Sequence, residues 1–328
     1  MRGERDECSQ PAEEWLLDHA DFIEEQVLIV RQQLLGKTIG RGLFVLRKTG
    51  KARILSVCAE YLEHTDGTVD EESFVHFLNS YQEISVLTIA EAWAVPLVMR
   101  IALIGRLAAV MQLVRERRAA CRAVERLLTP LESSPLDPEV LKAALDEAGL
   151  GLPLSGPVVV QLVRHLRERA QDSATLREWL MCHLENGPDS LDRIVSCEHQ
   201  LQAAYQVTTG NLIGSLRQIS RTHWDDWFER ICMVEQTLRG ERAGVYPLLD
   251  FASRDLLRRR VELLALRLKV PENLVAQQAV ELAAQRYEKE CQARSAPDQP
   301  VDPSLDAGEL SRPSFVPYYL LEPEGVAR

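Results

Sequence analysis

With 328 residues, 46% apolar and 27% charged, the chain has an ordinary globular composition and enough length for one large core or two smaller ones, which excludes wholesale disorder. The 38 basic residues against 49 acidic ones leave a formal net charge of -11, which argues against a nucleic-acid surface, because phosphate binding needs an excess of Lys and Arg. Seven cysteines form an odd set without C-x-x-C pairs, so reduced thiols in a cytoplasmic setting are expected, and the opening MRGERDECSQPAEEW has no apolar core of signal-peptide length.

In chain order, Leu16, Ile23, Val27, Val30 and Leu34 recur on one stripe between Glu13 and Leu35 and predict an amphipathic helix. Gly36, Gly40, Gly42 and Gly50 punctuate a loop, a helical pattern resumes over 51–63, and His64-Thr65-Asp66-Gly67 predicts a turn. Thr68 with Glu71, and Thr88 with Glu91, have the spacing of a capping box, in which the hydroxyl takes an orphan backbone N–H and the carboxylate reaches back. The second box opens a helix expected over 89–128, with Pro96 in its first turns or kinking it. Its apolar run from Leu97 to Val114 is interrupted by Arg100 and Arg106. A charge at mid-span costs about 2.5–3.5 kcal/mol on insertion scales, so the run reads as a buried core helix.

The stretch TPLESSPLDP cannot continue a helix and predicts a boundary, giving a lobe over 1–128, a linker over 129–138 and a second lobe over 139–293. Helices are expected near 139–148, 157–170, 174–186, 189–205, 210–220, 223–238, 247–269 and 272–292. No alternating strand pattern is present, so the expected fold is all-α, a multi-helix bundle in two lobes. Residues 294–328 read as a proline-rich linker ending in SFVPYYLL, an apolar patch that needs a surface to pack on.

Chemistry-bearing patterns are sparse. Gly36-Lys37-Thr38 has the end of a phosphate loop without its upstream glycine or preceding strand. Gln161-Leu162-Val163-Arg164-His165 is one residue from the Q-x-x-R-W signature of processive glycosyltransferases, yet it lies in an amphipathic helix of a chain without a D-x-D pair. Cys182, His183, Cys197 and His199 lack ligand spacing, because adjacent helical residues point about 100° apart. No catalytic residue, metal site or cofactor is therefore expected.

Arg115, Arg118, Arg122 and Arg126 form a basic stripe, which reads as a solvated face or as a seat for anionic headgroups or a partner domain. Asn211, Arg217, Trp224, Trp227, Asp250, Arg254 and Asp255 are the densest polar and aromatic set. Indole rings stack on sugar faces while polar groups take the hydroxyls, so the set predicts a carbohydrate-binding or interdomain surface. Its plainer alternative is a Trp224–Trp227 helix contact with Arg254 knitting helices by paired hydrogen bonds.

Several blocks in order resemble the helical region at the start of the cyclic β-1,2-glucan synthases. They are Glu14-Trp15-Leu16-Leu17-Asp18 with Ile23-Glu24-Glu25-Gln26, then His64-Thr65-Asp66-Gly67, Phe74 to Tyr81, Leu87-Thr88-Ile89 with Glu91 and Trp93, and Arg100-Ile101. Gly210-Asn211 with Ser215-Leu216-Arg217, Asp250-Phe251-Ala252-Ser253-Arg254-Asp255 and Tyr318-Tyr319-Leu320 follow. The family consists of inner-membrane enzymes that build β-1,2-linked glucose chains from UDP-glucose and cyclise them, with catalytic aspartates and Q-x-x-R-W in a later domain. The resemblance thus implies a non-catalytic, cytoplasmic module at the inner face of the bacterial inner membrane. Its expected role is to scaffold or regulate a glycosyltransferase membrane domain, in cis or in trans, as a truncated homologue or the front of a longer chain. A stand-alone helical adaptor working through SFVPYYLL, and a β-glucan-binding module, are the alternatives.

Overall fold

The computed structural model describes residues 11–35, 52–129, 138–151, 153–168, 178–182, 188–294 and 310–327, and among these the regular elements are helices with no strand, as the sequence predicts. In order they are α1 (Pro11–Asp18), α2 (Ala20–Leu35), α3 (Arg53–His64), α4 (Glu71–Gln82), α5 (Ile89–Leu128), α6 (Pro138–Glu147) and α7 (Gly156–Glu168). There follow a short helical stretch over 178–182 (α8), α9 (Pro188–Arg221), α10 (Trp224–Ile231), α11 (Met233–Arg239), α12 (Phe251–Leu268), α13 (Glu272–Arg294), α14 (Val316–Leu321) and α15 (Pro323–Val326). The Gly36-Lys37-Thr38 motif, His183, most of the expected linker and residues 295–309 lie outside the described residues.

Helix ends follow local chemistry, with corrections. The Thr88 box forms as expected: Glu91 N donates to Thr88 Oγ1 and Thr88 N to Glu91 Oε2, each at 3.1 Å. The Thr68 box does not form, because Asp70 sits closer to the helix and its carboxylate accepts from Ser73 N at 2.9 Å, so α4 starts at Glu71. Gly210 does not start a helix, since α9 runs unbroken through it. The helix expected over 223–238 breaks at Cys232, whose backbone is extended (φ -72°, ψ 109°) and separates α10 from α11. Pro96 lies inside α5. That helix is long and apolar enough to cross a membrane by length and composition, and its residues Leu97, Val98, Met99, Leu103, Leu107, Val110 and Val114 are buried.

The fold divides into two compact units whose segments alternate along the chain rather than meeting once near residue 129. The first comprises Met1–Arg31, Leu62–Thr68 and Arg100–Ser220; the second comprises Gln32–Tyr61, Val69–Met99 and Arg221–Arg328. Long helices make this interleaving possible, because α3 and α5 each supply residues to both units.

The first unit has an aliphatic core: Val124, Leu128, Leu141, Leu145, Val158, Val159, Leu162, Leu180 and Leu191 pack with Trp179. It also holds the 64–67 turn, where Asp66 (φ 49°) and Gly67 (φ 78°) are both left-handed. A Cβ on Gly67 would lie 2.6 Å from Leu212 Cδ2, so glycine is required there by space as well as by backbone. Cys58, Cys182, Cys197, Cys232 and Cys291 are in no disulfide, whereas Cys121 is disulfide-bonded and departs from the expectation of reduced cysteines.

In the second unit α11, α12 and α14 pack on α13, whose buried stripe of Ala276, Ala279 and Ala283 lets neighbouring helices approach. The SFVPYYLL segment is folded back rather than free: Val316, Tyr319 and Leu320 are buried, and Tyr319 Oη donates to Leu282 O at 3.3 Å. The patch expected to await a partner is therefore covered within its own unit, which corrects the reading of it as an adaptor surface.

Candidate functional site

The second unit holds its most concentrated chemistry between α10 and α12. Ile231, Val234 and Leu238 mark the buried faces of α10 and α11, and Glu235 falls on that apolar stripe. Its side chain is fully buried and ringed by donors. Oε2 accepts from Tyr246 Oη at 2.7 Å and Arg258 Nη1 at 2.6 Å, while Oε1 accepts from Arg239 Nε at 2.8 Å. Arg254 adds an ion pair to Oε1 at 3.4 Å and donates to Leu249 O at 2.8 Å. Both Arg239 and Arg254 also pair with Glu229.

Arg258 is buried as well, and its guanidinium lies 5.0 Å from the Phe228 ring and 4.9 Å from the Phe251 ring. Trp93 stacks on Phe228 at 4.1 Å and meets Phe251 edge-on. The cation is thus boxed by aromatic rings on its faces and by Glu235 at its edge.

Burial pushes the Glu235 carboxyl up, but hydrogen bonds from Tyr246, Arg258 and Arg239 outweigh it and hold the group below the ordinary glutamate range. Burial, joined by the adjacent Glu235 charge, raises the Tyr246 phenol well above its usual range. The Cys232 thiol, at the break between α10 and α11, is pushed up to about 12 by burial. Acid, phenol and thiol are therefore each locked in one protonation state near neutral pH, which suits a structural joint better than proton transfer.

A second polar joint in the same unit closes the start of α5. Buried Glu91 accepts from Arg53 Nε at 3.1 Å, and Arg53 also donates to Ser85 Oγ at 2.6 Å and Val86 O at 3.1 Å. Glu272 accepts from Ile89 N at 2.7 Å. Burial raises the Glu272 carboxyl, the Ile89 N–H partly offsets that, and the charges of Glu262 and Glu91 add to it. A third joint ties the chain's last helices down: Glu241 accepts from Tyr246 N at 2.7 Å and Val316 N at 2.5 Å.

The residues singled out in the sequence are placed as follows. Asn211 and Arg217 belong to the first unit, and the other five belong to the second. Asn211 Nδ2 donates to Asp66 O at 3.1 Å, beside Thr208 Oγ1 to Asp66 Oδ1 at 2.7 Å and Ser215 Oγ to Gly67 O at 2.8 Å. Two of the blocks that carry the family resemblance thereby lock onto each other, with α9 fixing the left-handed turn. Arg217 lies over the Phe22 ring at 5.5 Å. Trp227 is buried, 4.7 Å from the half-buried Trp224 in an edge-on contact and 6.0 Å from Phe74. Asp250 caps α12 by accepting from Ser253 N at 3.0 Å, and Asp255 pairs with Arg259 at 2.8 Å.

Within the basic stripe Arg115, Arg122 and Arg126 are exposed, while Arg118 pairs with Glu13 and Arg126 Nε donates to Arg122 O at 3.3 Å. Neighbouring Arg117 pairs with buried Glu198 at 2.8 Å. Sequence reasoning missed Glu229, Glu235, Tyr246 and Arg258. The available signal was a lone Glu on the apolar stripe of Ile231, Val234 and Leu238, which demands a buried cation from elsewhere in the chain.

The described residues are helical, their buried ions lock helix ends and turns, and two of the recognisable blocks form one such lock. No protein-family model matches it. Over 293 residues it is 30% identical to the cyclic β-(1,2)-glucan synthase NdvB of Rhizobium meliloti (strain 1021). That alignment takes in 89% of this chain and 10% of the synthase, so the chain is a partial homologue spanning about a tenth of its relative's length.

Proposed function

We propose that this chain is a non-catalytic helical module that scaffolds or regulates a UDP-glucose-dependent glucan synthase, in the cytoplasm at the inner face of the membrane. The observation that carries this is the 293-residue similarity to a tenth of a cyclic β-(1,2)-glucan synthase. The local chemistry agrees with it: the polar side chains that look most functional are engaged with helix ends, turns and each other. Glucosyl transfer belongs, on this reading, to a glycosyltransferase domain supplied in cis or in trans.

The test is complementation. A synthase lacking the segment homologous to this chain is expected to lose β-1,2-glucan accumulation, and co-expression of the 328-residue chain is expected to restore it. The purified chain with labelled UDP-glucose should transfer no glucose. Transfer by the chain alone, or a deleted synthase of undiminished output, overturns the reading. Direct glucan recognition would instead quench the fluorescence of half-buried Trp224 with β-1,2-linked oligomers, and the scaffold reading expects none.

A further inference from the structure

Helix α12 is apolar on two faces. One face, Leu257, Val261 and Ala265, is buried in the second unit. The other carries Leu256, Leu263 and Leu266 into solvent, and it runs on past the helix end through Leu268, Val270 and Leu274. Leu266 is 77% exposed and Leu268 62%, so these side chains project from the surface rather than lining a groove.

The rim of this apolar surface is cationic. Arg260, Arg267 and Lys269 are exposed, with no ion pair among the described residues. Of the acidic groups of the same stretch, Asp255 pairs with Arg258 and Arg259 and Glu272 accepts from Ile89 N, which leaves half-buried Glu262 as the one carboxylate beside three exposed cations. Lys269 sits at the left-handed position that ends α12 (φ 58°, ψ 39°), where glycine costs least. A cationic side chain is thus kept there against backbone preference, in a chain whose formal net charge is -11.

We propose that the corner formed by the end of α12 and the start of α13 seats this unit on an anionic membrane surface. Leu263, Leu266, Leu268, Val270 and Leu274 would enter the boundary between headgroups and acyl chains, while Arg260, Arg267 and Lys269 contact lipid phosphates. Two copies of the corner would meet with like charges, which disfavours self-association through it. Projecting leucines also fit an interface that yields around them better than a preformed protein groove. The seat stands whether or not the chain serves a glycosyltransferase.

The test is flotation of the full chain with vesicles of phosphatidylcholine alone or mixed with phosphatidylglycerol. Capture is expected on the anionic vesicles only, falling as salt is raised. Leu266→Asp combined with Leu268→Asp, and separately Arg260→Ser with Arg267→Ser, should each weaken partitioning about tenfold or more with helicity unchanged, since all four side chains are exposed. Equal capture by both vesicle types overturns the seat. So does capture that survives these variants but is lost in Arg122→Glu with Arg126→Glu, which would move it to the stripe on α5. Absence of capture also overturns it, leaving an acidic protein as the surface's partner.

Discussion

The two units solve the same problem with different chemistry. In the first, the α5–α7 region closes on aliphatic side chains from Val124 to Leu191. In the second, the space between α10 and α12 closes on Glu235, Tyr246 and Arg258, framed by Phe228 and Phe251. An aliphatic core is held by shape and tolerates swaps that conserve volume. An ionic core is held by pairing, and removal of one partner strands the other in a medium that cannot solvate it. The first unit should therefore respond gradually to core substitution and the second abruptly.

The largest expected effect is at Arg258. Arg258→Met keeps most of the volume but leaves buried Glu235 without its inner cation, and should cost about 3–5 kcal/mol in denaturant-induced unfolding. A cost like that of an aliphatic swap would erase the contrast between the units.

Next comes acid. Burial acts to raise Glu290, but hydrogen bonds from the Ser311 hydroxyl and backbone N–H and from Arg286 hold it down at about 2, against an ordinary 4.5. A depressed carboxylate contributes stability that is fully present above the ordinary value and is lost as pH falls toward the folded one. The attachment of residues 311–320 to α13 should thus loosen between pH 4.5 and about 2, visible in tyrosine near-ultraviolet circular dichroism. Glu290→Gln should flatten that part of the titration, and an unchanged profile in the variant would assign the acid response to other groups.

In the first unit Leu145→Met, deep in the aliphatic cluster, should cost under about 1.5 kcal/mol, and a loss as large as that at Arg258 would refute the shape-held reading. The smallest effect concerns Lys269. Lys269→Gly should stabilise the second unit by about 0.5–1 kcal/mol, the ~1–2 kcal/mol cost of a left-handed side chain less the extra backbone entropy of glycine. Destabilisation in thermal melts would mean that the lysine makes a contact its exposure does not suggest.

The fold was legible where local rules act alone. Thr88 and Glu91 announced the start of α5, and the apolar run from Leu97 to Val114, interrupted by Arg100 and Arg106, pointed to a core helix, of which Leu97, Met99, Leu103 and Val114 are buried. Reading failed where tertiary contacts override local preference. Gly210 looks like a start, yet α9 passes through it because Thr208, Asn211 and Ser215 on that same helix grip the 64–67 turn. Cys232 shows no sequence sign of a break, which arises where the buried faces of α10 and α11 meet. The polar joint of the second unit was half visible: Asp250, Arg254 and Asp255 stood out as a cluster, but Glu229 and Glu235, the carboxylates that Arg254 pairs with, lie far upstream, and pairing over that distance leaves no periodic trace. The SFVPYYLL segment signalled the need for a surface without saying that α13 provides it.

The Glu235, Tyr246 and Arg258 joint also constrains how such a chain can drift. Any single change that removes one charge strands another, so the route from this ionic centre to an apolar one passes through disabled intermediates. Exposed positions can turn over freely while these three are inherited or exchanged together. A distant relative of this unit should then carry either the complete joint or a wholly hydrophobic replacement, with partial versions rare.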